Sequence, residues 1–142
     1  MDPNGACSFG RRGEVYRMMK KYEEALVDLN KSLKIDPNDA WALKKRGEIY
    51  CMMKKYEDAI ADLNKSLEID PDDAWALSSR GEVYRMLNKY NEALADLNKS
   101  LKVELNDAWA LKKCGAVYRM VKRYEEALAD LNKSLEIQPD DA

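Results

Sequence analysis

Histidine is absent from all 142 residues. That removes the commonest general base and a favoured nitrogen ligand for metal ions. Glycine is scarce and never clustered as a phosphate-cradling loop requires, so each glycine is expected singly, inside a helix. The three cysteines, Cys7, Cys51 and Cys114, are odd in number and far apart. This excludes a disulfide framework and a paired metal motif, and points to reduced thiols in a cytoplasmic setting. Without histidine beside them, they read as packing or surface residues, not nucleophiles. No apolar run approaches a membrane span, and Met1-Asp2-Pro3-Asn4-Gly5 does not open a signal peptide. No stretch alternates with the period of a β-strand. The formal charge of −2 gives no general pull towards nucleic acid. No enzymatic activity, cofactor, metal or small-molecule substrate is expected.

What is present is repetition. Gly13, Gly47, Gly81 and Gly115 stand 34 residues apart, and Asn-Lys-Ser-Leu returns at Asn30, Asn64, Asn98 and Asn132. The stretch 40–73 matches 108–141 at 25 of 34 positions. A strict period of this size means one supersecondary unit stacked on copies of itself. The 46% of hydrophobic residues supply enough apolar surface for a folded array, so one repeat domain is expected over 1–142.

Each repeat reads as two helices. In the copy opening at Ala40, Asp39 is an N-cap and Pro37 breaks the helix before it. Leu43, Gly47 and Tyr50 fall on one face, the glycine permitting close helix approach. After Lys54-Lys55, a second helix should bury Ala59, Leu63, Ser66 and Leu67. A linker of three or four residues makes the pair antiparallel. The fold class is all-α.

With its 34-residue period and the pattern Leu43…Gly47…Tyr50…Tyr56…Ala59…Leu63…Ser66…Pro71, the chain resembles the tetratricopeptide repeat family. The four copies are 6–39, 40–73, 74–107 and 108–141. The resemblance implies a right-handed superhelical α-solenoid whose first helices line a concave groove for a peptide or protein. Several positions depart from the family pattern. Arg12, Arg46 and Arg80 precede the glycine where an apolar residue is usual, and Leu105 replaces a proline. Lys20, Lys54, Asn88 and Lys122 occupy a turn usually given to glycine, at some backbone cost. The carboxylate clamp of the chaperone-binding subclass is not matched. Glu14, Glu48 and Glu82 stand where its first asparagine is needed, and Trp75 or Trp109 where its lysine is. The opening Met1-Asp2-Pro3-Asn4 resembles the close of a further repeat, and no C-terminal capping helix follows the fourth. A section of a longer array, natural or engineered, is therefore expected.

The first-helix face opposite the core carries Trp41, Lys44, Lys45, Glu48, Cys51 and Met52. Its counterparts are Cys7, Gly10, Arg11, Glu14, Arg17 and Met18, then Trp75, Ser78, Ser79, Glu82, Arg85 and Met86, then Trp109, Lys112, Lys113, Ala116, Arg119 and Met120. By the resemblance, this face lines the groove. Eight of these side chains are basic and three acidic, so an acidic or amphipathic partner is expected. The compensating acids, among them Glu23, Glu24, Asp28, Glu57, Asp58, Asp72 and Asp73, are expected outside. Tryptophan, methionine and arginine are also the side chains enriched at protein interfaces. The tryptophans have a second reading, in which they pack between repeats. The alternative function is an array with no fixed ligand. A nucleic-acid partner is disfavoured, because no base-reading pair repeats along the face. Head-to-tail self-association is expected between the last helix, with Leu128, Leu131 and Leu135, and the first, with Phe9 and Tyr16.

Overall fold

The computed structural model describes residues 5–138. The opening 1–4 and the close of the fourth repeat, 139–142, lie outside the described residues. Among the described residues there is no strand, and eight α-helices follow one another as antiparallel pairs. They are α1 (Ala6–Met18), α2 (Tyr22–Ile35), α3 (Ala40–Met52), α4 (Tyr56–Ile69), α5 (Ala74–Met86), α6 (Tyr90–Val103), α7 (Ala108–Met120) and α8 (Tyr124–Ile137). The odd-numbered helices begin at Ala6, Ala40, Ala74 and Ala108, the first residue of each repeat.

The caps explain these starts. The Asp39 carboxylate accepts from the Ala42 N–H at 3.2 Å, and Asp107 accepts from Ala110 at 3.2 Å. Asp73 accepts from Trp75 and Ala76. Each satisfies an amide that the first helical turn leaves unpaired. The first helix has no such aspartate. Gly5 stands at its N-cap with φ 78°, a left-handed conformation that costs glycine little, so this glycine lies outside a helix, contrary to expectation.

Three residues join the helices of each pair. Lys20, Lys54, Asn88 and Lys122 adopt φ of 60° to 64°, the left-handed conformation expected to cost a side chain something here. The next amide closes the turn: Lys21, Lys55, Lys89 and Arg123 donate to the carbonyls of Tyr16, Tyr50, Tyr84 and Tyr118, all at 2.8 Å. The recurring serine of Asn-Lys-Ser-Leu ties the pair together at its other end. Ser32, Ser66, Ser100 and Ser134 donate to the carbonyls of Ala6, Ala40, Ala74 and Ala108 at 2.8 to 3.1 Å. Close approach at Gly47 needs its missing side chain: a Cβ there would lie 3.0 Å from Leu63 Cγ and 3.4 Å from the Ala59 carbonyl.

The chain divides into two compact units, Met1–Pro71 and Asp72–Ala142. In the first, Ala25, Leu26, Leu29 and Leu33 of α2 pack with Ala42, Leu43 and Ile49 of α3. In the second, Ala93, Leu94 and Leu97 of α6 pack with Cys114 and Val117 of α7. The predicted inner residues of the Ala40 copy are buried as read, with Tyr50 half-buried. Proline is not needed to end the second helix. α6 stops at Glu104 with φ −123° and ψ 95°, close to the stop of α2 at Asp36, although Leu105 stands where the others carry proline.

Candidate partner-binding site

The first-helix face builds up from three side-chain types. Tryptophan stands at the second position of α3, α5 and α7, and all three rings are exposed. Trp41 also lies against the preceding repeat: a Cβ added at Gly10 of α1 would come within 3.1 Å of its ring. The reading in which this tryptophan packs between repeats fits that approach, and the ring is still 37% exposed. Lys45 Nζ sits 6.0 Å from the centre of the Trp41 ring, and Lys113 Nζ sits 5.4 Å from that of Trp109, within cation–π range. Met18, Met52, Met86 and Met120 close the column, all exposed.

Each unit has a cleft beside a tryptophan. In the first, a cleft of about 360 Å³ is lined by Cys7, Gly10, Arg11, Ser32, Asp36, Asp39 and Trp41. In the second, one of about 300 Å³ lies among Trp75, Ser78, Ser79, Asp107 and Trp109. Ser32, Asp36, Asp39 and Asp107 were not among the residues expected from sequence to line the groove.

The charges on this face are not an open basic field. Glu14 takes a fork of two hydrogen bonds from Arg17 at 2.9 and 2.6 Å, with Lys45 Nζ at 3.8 Å. Lys45 also lies 3.6 Å from Glu48. Glu82 takes the same fork from Arg85, with Lys113 at 3.4 Å. Burial, the largest single influence, raises the pKa of Glu14, yet Arg17 and Lys45 together hold it below the ordinary value. Glu48, read from sequence as facing the groove, is buried, beside the Lys45 of its own helix that also reaches Glu14 of α1. Ser78 is buried as well, its hydroxyl donating to the Trp75 carbonyl at 3.1 Å. Ala116 stands where the other copies have glutamate, so Arg119, which is exposed, has no acid at that position to pair with.

A second network escaped the sequence reading. Arg12, Arg46 and Arg80 donate through Nε and Nη2 to the carboxylates of Asp28, Asp62 and Asp96, sixteen residues on, at 2.6 to 2.8 Å. The hydrogen-bonded aspartate raises each arginine's pKa further. Asp28, expected outside, is buried, and so are Asp62 and Asp96. The reason is that the arginine neutralises a carboxylate that burial would otherwise penalise. The signal was present as an arginine and an aspartate sixteen apart in three successive copies. In the fourth copy Cys114 takes the arginine's place, fully buried, its thiol donating weakly to Asn98 Oδ1 at 3.8 Å. Burial pushes this thiol up to about 12, and burial also raises Asp130, the carboxylate left without an arginine.

The tetratricopeptide repeat profile matches residues 5–72, 38–103 and 108–141. The chain belongs to the tetratricopeptide repeat family. No curated protein sequence matches this repeat chain. Among solved structures, MamA from Desulfovibrio magneticus RS-1 superposes with a TM-score of 0.89 at 19% identity, over 99% of this chain and 80% of that one. Another MamA structure gives 0.88 at 26% identity, over 96% and 74%. The first tetratricopeptide domain of Spaghetti (RPAP3), bound to the HSP90 peptide SRMEEVD, gives 0.82 at 25% identity, over 86% and 97%. These likenesses place the repeat pairs in the α-solenoid class, and no helix among the described residues is long and apolar enough to cross a membrane.

Proposed function

We propose that the chain is a non-enzymatic interaction scaffold that holds an acidic or amphipathic peptide along its first-helix faces. The observation that carries this reading is the pairing, in each unit, of an exposed tryptophan with a lysine over its ring and an adjoining cleft. The aromatic face and the exposed methionines supply apolar contact, and the exposed arginines of the same face select sign. The peptide held by the Spaghetti domain, with two glutamates and an aspartate in seven residues, supports a partner of that charge. A carboxylate clamp is not part of the reading, since Glu14 and Glu82 are occupied by arginine and lysine. Arg119 and Arg11, both exposed, are the groups best suited to meet a partner's carboxylates. Three cysteines, odd in number and far apart in the sequence, fit a reducing, cytoplasmic setting.

Tryptophan fluorescence tests this directly. The peptide SRMEEVD should quench or shift the emission at concentrations where a counterpart with lysine at each acid does not. Binding should weaken with added salt, because screening shortens the reach of exposed charges. Combining Lys112→Ala, Lys113→Ala and Arg119→Ala should weaken it about tenfold, on the order of 1.4 kcal/mol. Equal binding of both peptides, or none at millimolar concentration, would leave the array without a fixed ligand as the better reading.

A further inference from the structure

The repeats carry the same side chains in register, yet not all of them are covered. Leu26 of α2 and Leu94 of α6 are 8% and 6% exposed, beneath α3 and α7. Their counterpart on α8 is Leu128, at 60%. Leu33 is buried in the same way, whereas Leu135 is exposed. The covering side shows the mirror-image defect. Ile49 of α3 and Val117 of α7 are fully buried, and the residue in their register on α1 is Val15, at 53%. Met53 packs on the first core, while Met19, one repeat earlier, is exposed.

A polar contact follows the same register. Arg46 spends Nε and Nη2 on Asp62 and donates through Nη1 to Asn30 of the preceding repeat at 2.9 Å. Arg12 spends the same two nitrogens on Asp28. Asn132, in the register of Asn30, is exposed on α8.

We propose that a second copy of this chain covers the α8 flank, seating its α1 there as α3 seats on α2. Val15 and Met19 of one copy then meet Leu128 and Leu135 of the next, and Arg12 Nη1 reaches Asn132. The occupant is specified by the molecule's own internal interface, whose two halves recur, uncovered, on α8 and α1. Because the two surfaces differ, the contact is heterologous, and each added copy presents a fresh α8 flank. This inference is independent of the peptide-binding reading, since it uses neither the tryptophans nor the clefts.

Sedimentation equilibrium on the full chain tests it with two variants, Val15→Lys and Leu128→Lys. Both positions are exposed, so circular dichroism should show the helix content unchanged. The parent's average mass should rise with concentration past that of a dimer. Each variant alone should stay monomeric. An equimolar mixture of the two should form a dimer and stop there, because only the open α8 flank of one can meet the open α1 flank of the other. A parent that stays monomeric up to millimolar concentration would overturn the proposal and assign the flank to a different partner. So would a mass that levels off at a dimer, or variants that associate as the parent does.

Discussion

At the scale of single residues, the fourth repeat is an experiment already half done. Arg46 shows what position 114 would hold if it followed its neighbours: a guanidinium between the aspartate sixteen residues on and the asparagine sixteen residues back. Cys114 instead leaves Asp130 with a raised pKa, chiefly from burial. An acid raised in the folded state favours its protonated form. Its stabilising contribution is present in full below the unfolded value and is lost as pH rises through the folded one. At neutral pH the Asp130 carboxylate is therefore a liability. Cys114→Arg should give it a partner, draw its pKa below the ordinary value and stabilise the fold by about 1 kcal/mol or less, since the site is partly open to water. The gain should be larger at neutral pH than well below the aspartate range, where Asp130 is already protonated. Urea unfolding at the two pH values checks the sign, and no gain at neutral pH would refute it.

At the scale of elements, the inter-helix turn holds side chains in a backbone conformation that favours glycine. Three of the four turns hold lysine in the left-handed conformation and the remaining one holds asparagine. A side chain there costs on the order of 1 kcal/mol relative to glycine, and less for asparagine. Lys54→Gly should therefore raise stability by about 0.5–1 kcal/mol, with Asn88→Gly giving a smaller gain, both read from urea midpoints. The turn amide bonds to Tyr50 and Tyr84 should survive both changes, because they come from the next residue along. Equal gains at the two positions would mean that the backbone conformation is not the source.

At the scale of the whole molecule, stability comes from neighbouring helices, unit by unit. Leu29 is fully buried in the core shared by α2 and α3, and Leu97 holds the same place in the core of α6 and α7. Removing the Leu29 side chain as Leu29→Ala leaves a cavity that costs roughly 2–5 kcal/mol. In an array with nearest-neighbour coupling, that loss is felt most in the repeats that share the core. Hydrogen exchange should show α1 to α4 losing protection by more than α5 to α8, and Leu97→Ala should give the reverse. An equal loss along all eight helices would mark a single cooperative unit.

The period, the helix pairs, their first residues, the aspartate caps and the costly turn were all legible in the sequence. Each depends on residues within one or two turns of one another, and fourfold repetition makes a local pattern hard to miss. The exposed tryptophan and methionine columns were legible for the same reason, as one face of a helix. Which charges meet was not. Asp28, Asp62 and Asp96 look like surface acids until a helix sixteen residues away brings an arginine to each. Glu48 looks like part of an open face until α1 and α3 bring Glu14 to the same lysine. The partial burial of Trp41 rests on Gly10 of another repeat. Burial and ion pairing depend on distance in space, and only the packing of helix on helix, within a pair and against a neighbouring pair of the same unit, sets that distance.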